Sequence, residues 1–377
     1  MTSTLGSTHP THAVIDLAAF RENVSAVRSC IRGVTGIMAV VKADAYGHGM
    51  FDIASEAVEA GVEYLGVARA YEGAQLREAG IEIPILAFEV VPTEHQSAAI
   101  EHNLDLTVTS VSGARQLGEV AERLGRKARV HVKVDTGMGR LGLSAATAAE
   151  SIESIARLPW IDLVGVYSHF ATSEDPDRTF ATHQLDLFSH VLEDLAKRRI
   201  SVRFRHMANS GAILEFPESH FDMVRPGLML YGYAPRQGMA LRVALSPVMS
   251  LVSRVAFLKR VGPNTSISYG RRHFTEKETQ IATVPVGYGD GYSRLLTGKA
   301  EALIRGKRYP VVGIVCMDQV MVDVGPGADI HDGDPVTLIG QQGGESIWAW
   351  ELAAKIGTIP YEITCLVTSR VPRRFVR

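Results

Sequence analysis

The feature that most constrains this chain is one pattern that repeats between residues 37 and 230: an apolar, β-branched run, a turn, and a segment with helical periodicity. Strands that alternate with helices favour a parallel sheet, because each parallel connection needs a crossover. Eight such units predict an α/β fold, a (β/α)8 TIM-type barrel, with an open doubly wound sheet as the alternative. The eight runs cover residues 37–41, 64–68, 84–88, 104–108, 129–134, 161–168, 202–207 and 221–224.

The sequence pattern changes after Leu245, where short runs of alternating apolar and polar residues, separated by turn residues, replace the helical segments. We therefore expect a barrel domain over residues 1–245 and a mostly β C-terminal domain over residues 246–377. Residues 12–17 also resemble a strand, and the sequence leaves open whether they join the C-terminal domain. Within the barrel, a helix is expected over residues 144–158 with Ser144 as its N-cap.

Composition excludes several classes of protein. The chain has 377 residues, is 46% hydrophobic and has a formal net charge of −2, with acidic and basic residues interspersed. Such a chain is not intrinsically disordered, and it lacks the one-sided basic surface that nucleic acid or an anionic membrane requires. The expected partner is a small molecule.

Three sequence features predict a cytoplasmic location. The N-terminus lacks a basic region followed by an apolar one, so it does not resemble a secretory signal. No segment is apolar over the 18 or more residues that a membrane span needs. Cys30, Cys316 and Cys365 are odd in number and widely separated, which fits a reducing compartment.

Polar residues follow the predicted barrel strands, where the active sites of such barrels are built. Lys42 comes directly after the apolar residues 38–41, so partial burial should lower its pKa and favour the neutral amine that attacks carbonyl groups. Asn209, Ser210 and Gly227 follow the last two strands, a common place for phosphate binding. No metal site is predicted, because the histidines lack the spacing of metal ligands.

A set of motifs in a fixed order resembles the alanine racemases over the whole chain. The motif around Lys42, AVVKADAYGHG, is similar to the pyridoxal-phosphate attachment motif of that family. Six further motifs follow it: KVDTGMGRLG (133–142), HMANSGA (206–212), RPGLMLYG (225–232), ISYGR (267–271), GYGDGY (287–292) and CMDQ (316–319).

The resemblance implies pyridoxal 5'-phosphate as the cofactor, joined to Lys42 as a Schiff base, and an amino acid as the substrate. It implies that Arg225 donates to the pyridine nitrogen, and that His206 supports the cofactor site. A guanidinium does not readily give up a proton, so the ring is a weaker electron sink, which favours proton exchange over transamination. The phosphate-binding residues implied by the family are Tyr46, Asn209, Ser210, Gly227 and Tyr361.

Racemisation removes a proton from one face of the α-carbon and returns one to the other face. The resemblance implies Lys42 as one base and Tyr269 as the other, with Tyr269 reaching the active site of the partner subunit in a homodimer. His169 and Arg140 would assist Tyr269, because a phenol with a pKa near 10 needs hydrogen bonding to act as a base.

The family also implies groups around the substrate. Arg140 and the backbone amide of Met317 of the partner subunit would bind the substrate carboxylate. Lys133 is a candidate for carbamylation, which would turn a repelling cation into an anion that holds Arg140. The residues that resemble the lining of the substrate corridor are Tyr288, Asp290, Arg294 and Asp318.

The expected activity is the interconversion of L-alanine and D-alanine, which supplies D-alanine for peptidoglycan. Three alternatives stay open at this point. A racemase of broader scope would act on serine or lysine, and the sequence hardly bears on that choice. A decarboxylase of the same architecture would ordinarily place a carboxylate against the pyridine nitrogen and supply a reactive cysteine from its second domain. Arg225 argues against the first feature, whereas Cys316 keeps the second one open. A non-catalytic pyridoxal-phosphate carrier would lack the C-terminal domain.

Overall fold

The computed structural model describes residues 9–239 and 241–377. Residues 1–8, the first part of the stretch considered for a secretory signal, lie outside the described residues. Among the helices that are described, none is both long and apolar enough to traverse a lipid bilayer.

Eight parallel strands follow one another around a barrel, and each of the first six pairs with the barrel strand that comes next in the chain. The eighth strand pairs with the first, and backbone hydrogen bonds from Asp222 to Arg205 (3.1 Å) and from Arg225 to Ala208 (2.8 Å) link the seventh and eighth segments. The predicted barrel is therefore confirmed over the doubly wound alternative. Its strands are Gly36–Val40, Tyr64–Val67, Ile85–Ala87, Asp105–Val108, Ala128–Asp135, Ile161–Tyr167, Phe204–His206 and Met223–Val224.

Helices connect these strands, as the repeat predicts. The helix expected at residues 144–158 is shorter, Ala148–Ala156, and Ser144 is not its N-cap. Ser144 instead lies in the short strand Leu143–Ser144, which pairs with the fifth barrel strand. The other α-helices are Leu17–Cys30, Met50–Glu59, Ala70–Glu78, Thr93–Glu101, Val111–Arg123, Thr179–Lys197 and Ser210–Glu215, with 3-10 turns at Pro217–Ser219 and Leu228–Tyr231. The segment Lys42–Gly47 forms one helical turn of the left-handed kind.

The C-terminal part of the chain is mostly β, as predicted, and is built on a ten-stranded sheet. The strand His12–Asp16 belongs to this sheet, where it pairs with Met249–Arg254 and Arg373–Val376. The other strands of the sheet are Phe257–Val261, Thr279–Val284, Glu301–Ile304, Lys307–Val312, Val320–Asp323, Pro335–Gln342 and Glu345–Ile347. A two-stranded ribbon (Ser266–Ile267 and His273–Phe274), the helices Ala349–Ile356 and Pro360–Cys365, and 3-10 turns at Tyr269–Arg271, Tyr288–Asp290 and Arg294–Leu296 complete it.

The chain divides into two compact units, and one short segment from the barrel part of the sequence belongs to the C-terminal unit. The barrel unit comprises Arg21–Ala45 and Met50–Leu245. The C-terminal unit comprises Ser246–Arg377 and the segment that ends at Phe20, together with Tyr46–Gly49. Four residues from the loop after the first barrel strand are thus part of the C-terminal unit.

Candidate active site

The turn that begins at Lys42 has an unusual backbone conformation. Four successive non-glycine residues, Ala43, Asp44, Ala45 and Tyr46, have φ between 53° and 55°, in the left-handed region. Each such residue costs roughly 1–2 kcal/mol, because its Cβ approaches a carbonyl oxygen. A single left-handed turn therefore follows Lys42, and it persists only because its surroundings hold it.

Two carboxylates stabilise this strained turn within the barrel unit. Glu72, which is 5% exposed, accepts hydrogen bonds from the backbone N–H groups of Ala43 (2.7 Å), Ala68 (2.8 Å) and Arg69 (2.9 Å). Asp44 accepts a hydrogen bond from the N–H of Met50 (2.8 Å), where the next helix begins. Glu72 thus ties the loops after the first and second strands together beside Lys42.

Gly47 fixes the end of the same turn within the C-terminal unit. A Cβ at this position would lie 2.2 Å from the carbonyl oxygen of Thr364, so only glycine fits. The carbonyl oxygen of Gly47 accepts hydrogen bonds from Nε (3.1 Å) and Nη2 (2.9 Å) of Arg373. The neighbouring residue Tyr46 is buried and contacts Tyr361, with ring centroids 5.7 Å apart. Burial, and next the approach of Tyr361, raise the pKa of Tyr46.

The carboxyl end of the barrel is strongly positive. Burial, followed by the charges of Arg225, Arg140, Lys133 and Lys42, lowers the pKa of His169 well below its usual range, so its ring is neutral near pH 7. Burial and the charge of Arg225 also lower the pKa of Lys133 to about 7. The Nζ of Lys133 donates to the carbonyl oxygen of Val134 (2.6 Å) and lies 5.6 Å from the ring centre of Tyr167. Such a concentration of cations fits an anionic ligand.

Arg225 is 4% exposed, and all its hydrogen-bond partners are uncharged. Nη1 contacts Nδ1 of His206 (2.7 Å), and Nη2 donates to the carbonyl oxygens of Ser168 (2.6 Å) and Met207 (3.0 Å) and contacts Nδ1 of His169 (3.2 Å). Burial lowers its pKa to about 10, so the guanidinium keeps its charge at neutral pH. No hydrogen bond joins its Nε to a described residue, which leaves this donor for a ligand.

Three of the five predicted phosphate-binding residues, Asn209, Ser210 and Gly227, follow the seventh and eighth strands, whereas Tyr46 and Tyr361 belong to the C-terminal unit. Ser210 is buried, and its hydroxyl accepts hydrogen bonds from the backbone N–H groups of Gly227 (3.1 Å) and Met229 (3.3 Å). Asn209 caps the helix Ser210–Glu215 by accepting from the N–H of Ala212 (3.0 Å), and it also accepts from the hydroxyl of Ser173 (2.8 Å). Small residues and backbone amides therefore converge at this position, a pattern suited to a phosphate group.

Tyr269 and Met317 lie in the C-terminal unit, where both line an open cavity of about 630 Å³. Tyr269 is 71% exposed, and it follows Ser268, whose φ of 67° is again left-handed. The hydroxyl of Ser268 donates to the carbonyl oxygen of Ile314 (2.6 Å), which anchors this turn. The aromatic ring is therefore presented outward on a constrained loop.

The four predicted corridor residues are only partly brought together. Arg370 bridges two of them, since its Nη2 donates to Asp318 (2.8 Å) and its Nε lies 3.3 Å from Asp290. The N–H of Tyr288 donates to the carbonyl oxygen of Cys316 (3.0 Å), one residue before Met317. Arg294 is exposed, and its carbonyl oxygen accepts hydrogen bonds from the N–H (3.2 Å) and the hydroxyl (2.7 Å) of Thr297.

Sequence reasoning missed three polar residues that the structure places next to the site. Glu72 holds the turn after Lys42, and His131 and Asp105 continue the hydrogen bonds of His206 into the barrel interior. For His131 and Asp105 the usable signal was a charged or polar side chain inside a strand that should be apolar on both faces, whereas Glu72 lies on the helix Ala70–Glu78 and gives no such signal.

Comparison with known proteins identifies the family. The model of the alanine racemase N-terminal domain matches residues 15–235, and that of the alanine racemase C-terminal domain matches residues 248–375. The chain is 41% identical to alanine racemase 2 of Caldanaerobacter subterraneus subsp. tengcongensis, over 97% of this chain and 95% of the relative. It is 42% identical to the alanine racemase of Methanococcus maripaludis, over 98% and 99%.

A solved structure agrees with these matches. The alanine racemase of Clostridium difficile 630 superposes with a TM-score of 0.94 at 37% identity, over 98% of this chain and 96% of that one. The chain belongs to the alanine racemase family. The predicted resemblance and enzyme class are confirmed: the protein is an isomerase of the alanine racemase type.

Substitution of Glu72 tests whether this carboxylate stabilises the turn after Lys42. In Glu72→Gln one oxygen becomes an NH2 group, which cannot accept from a backbone N–H, so the bond to Ala43 or the pair to Ala68 and Arg69 is lost. We expect the free energy of unfolding to fall by about 1–3 kcal/mol in chemical denaturation. Glu78→Gln, at an exposed position of the same helix, should change it by less than about 0.5 kcal/mol. Equal stability of the two variants would contradict this role of Glu72.

Proposed function

We propose that this protein interconverts L-alanine and D-alanine with pyridoxal 5'-phosphate, by a mechanism with two bases on opposite faces of the substrate. The observation that carries the proposal is the placement of Lys42 at the end of the first barrel strand, within a cluster of cations that includes the buried Arg225. A cationic barrel mouth is suited to a phosphate and to a substrate carboxylate. Membership of the alanine racemase family supports the same reaction.

When bound, pyridoxal 5'-phosphate supplies an aldehyde that amines can attack and a conjugated ring that stabilises negative charge at the substrate α-carbon. Its covalent attachment is assigned to Lys42. The free Nε donor of Arg225 and the Ser210 hydroxyl with its neighbouring amides fit this group. The residues proposed to hold it are Tyr46, His206, Asn209, Ser210, Arg225, Gly227 and Tyr361.

Arg225 limits which reaction occurs. Its guanidinium stays protonated near neutral pH, since its pKa is about 10, so it donates a hydrogen bond to a ring nitrogen without transferring the proton. A ring nitrogen that stays unprotonated withdraws electrons less strongly. This favours return of a proton to the α-carbon over side reactions such as transamination.

The two bases are proposed to be the amine of Lys42 and the phenol of Tyr269 of the partner subunit, in a homodimer. Tyr269 is 71% exposed within its own chain, which supports a role in the partner subunit. A phenol that faces water has no neighbouring group to hold it against a substrate or to lower its pKa. His169 accepts from Arg225 at Nδ1, so its proton is on Nε2, where it can donate to a phenolate oxygen. Arg140 is proposed to assist His169 in this role. Arg140, with the amide of Met317 of the partner subunit, is proposed to bind the substrate carboxylate.

Three further assignments rest on the family resemblance. Tyr288, Asp290, Arg294 and Asp318 are proposed to line the path by which substrate arrives. A cytoplasmic location and a supply of D-alanine for peptidoglycan are proposed from the same resemblance.

The proposed function is tested by incubating the purified protein with pyridoxal 5'-phosphate and L-alanine in deuterated water. We expect inversion to D-alanine together with deuterium at the α-carbon. Lys42→Ala should abolish both, whereas Lys299→Ala, at an exposed lysine of the C-terminal unit, should retain both. Release of carbon dioxide would indicate a decarboxylase, and neither exchange nor release would indicate a carrier.

The second base is tested with Tyr269→Phe, which keeps the ring and removes the phenolic oxygen. We expect inversion to slow by about 10²–10⁴-fold, the usual contribution of a general base. Exchange of the α-proton with solvent should survive for the one enantiomer that Lys42 serves. Tyr71→Phe, at another exposed tyrosine (64%), is the matched control and should behave as the parent protein. Equal loss of exchange for both enantiomers would place the second base elsewhere.

We also propose that Lys133 is carbamylated. Carbamylation joins a neutral amine to carbon dioxide and releases a proton, and the pKa of about 7 leaves the Lys133 amine neutral above that pH. With ¹³C-labelled bicarbonate, a carbamate NMR signal should be present well above pH 7 and disappear below it. The signal should be missing from Lys133→Gln at every pH. A signal that persists in that variant, or none in the parent protein, would contradict the proposal.

A further inference from the structure

A continuous chain of buried hydrogen bonds runs through the barrel from Arg225 to Asp105. Nη1 of Arg225 lies 2.7 Å from Nδ1 of His206, and Nε2 of His206 lies 2.8 Å from Nδ1 of His131. Nε2 of His131 lies 3.2 Å from Oδ2 of Asp105. The two histidines are 0% exposed and Asp105 is 1% exposed, so water does not compete for these contacts. The chain joins residues from strands four, five and seven to the segment after strand eight.

The direction of every hydrogen bond in this chain follows from its two ends. A guanidinium only donates, so Nδ1 of His206 must accept and its proton is on Nε2. That proton is donated to Nδ1 of His131, which places the proton of His131 on Nε2, facing Asp105. An ionised carboxylate only accepts, so the last bond is satisfied as well. Both imidazoles are therefore neutral and hold their protons on Nε2.

The charge state of the groups agrees with this order. Burial opposes ionisation of Asp105, but hydrogen bonds from His131 and Arg129 hold its pKa at about 2. Burial, and next the charge of Arg225, lower the pKa of His206 well below its usual range. A protonated His206 would also direct an N–H at Arg225, which cannot accept it.

We propose that Asp105 and His131 are positioning residues for the reaction, since they fix the tautomer of His206 and so hold the guanidinium of Arg225 in place. This inference rests on the proposed function, in which Arg225 donates to the pyridine nitrogen. Arg225 has no ion pair with a carboxylate among the described residues, and the histidine chain is its connection to one. Each ring directs its lone pair toward Arg225 and its N–H toward Asp105, an orientation that favours the buried cation.

The surrounding packing leaves these rings little freedom to turn. His206 stacks on Tyr167 with ring centroids 4.9 Å apart and an interplanar angle of 2°. A Cβ at Gly165 would lie 2.3 Å from Nδ1 of His131, so glycine is needed beside that ring. At the far end, Arg129 donates to Oδ1 of Asp105 (2.5 Å) and the hydroxyl of Tyr64 donates to Oδ2. The carboxylate is thus anchored independently of the histidines.

Asp105→Asn is the discriminating variant because an amide has one accepting atom and one donating group. Arg129 donates to Oδ1 at 2.5 Å and to Oδ2 at 3.2 Å, so the amide oxygen should keep the shorter bond at the Oδ1 position and the NH2 group should face His131. His131 must then accept at Nε2 and donate from Nδ1, and His206 must accept at Nε2. The proton of His206 moves to Nδ1, where it opposes the N–H groups of Arg225.

The test measures histidine tautomers by ¹⁵N NMR of the full chain, and turnover of the cofactor-bound protein. In the parent protein His206 and His131 should both carry their protons on Nε2. In Asp105→Asn both protons should move to Nδ1. The kcat/KM for alanine should fall by about tenfold to a hundredfold, as expected when a buried donor faces no acceptor, and the absorbance of the bound cofactor should shift.

Tyr64→Phe is the control, since it removes the phenol that donates to Asp105 and lies 3.3 Å from Nε2 of His131, but leaves the hydrogen bond between His131 and Asp105. It should keep the parent tautomers and absorbance and change kcat/KM by less than about threefold. The proposal is overturned if His206 of the parent protein carries its proton on Nδ1, a result that does not require the variant to fold. It is also overturned if Asp105→Asn reverses the tautomers without changing kcat/KM or absorbance, or changes kcat/KM without reversing them. Predicted tautomers in a parent protein that does not racemise alanine would instead overturn the proposed function alone.

Discussion

Burial of the Arg225 guanidinium is the interaction on which the barrel site depends. Moving a cation out of water costs several kcal/mol unless the protein supplies acceptors in good geometry. Here the acceptors are the carbonyl oxygens of Ser168 and Met207, which directly follow the sixth and seventh strands, and two imidazole nitrogens. None of these groups is charged, so the guanidinium keeps its full electrostatic effect on whatever binds in front of it. Burial is the main cause of the lowered pKa of Lys133 and of His169, and the charge of Arg225 adds to it.

Strain is the second constraint, and it is concentrated in one turn. Four left-handed residues after Lys42 would be unstable in isolation, at roughly 1–2 kcal/mol each. Buried carboxylate contacts, chiefly those of Glu72, hold the part of this turn that belongs to the barrel. Contacts of Gly47 with Thr364 and Arg373 hold the part that belongs to the C-terminal unit. The lysine at its start therefore lies on a backbone that has little freedom to relax.

The barrel could be predicted from sequence because its signal is repeated eight times, and Lys42 and Arg225 could be placed because each directly follows an apolar run. The Ser144 cap was wrong because a serine before a helical pattern also fits a short strand edge. Asp105 and His131 were missed because their roles depend on partners from distant strands, which no local pattern encodes. Tyr269 came only from family resemblance, since an aromatic residue in a β-rich segment is ordinarily part of the packing.

The membership of Tyr46–Gly49 in the C-terminal unit has a consequence for any attempt to dissect the protein. A cut near residue 245 would leave these four residues attached to the barrel while removing Tyr361, Thr364 and Arg373, which contact them. Exchange of C-terminal portions between relatives would meet the same difficulty. The new C-terminal portion would have to fit residues Tyr46–Gly49 of the recipient, which lie far earlier in the chain. Substitutions in Tyr46–Gly49 and in the C-terminal residues that contact this tetrapeptide must therefore remain compatible with each other.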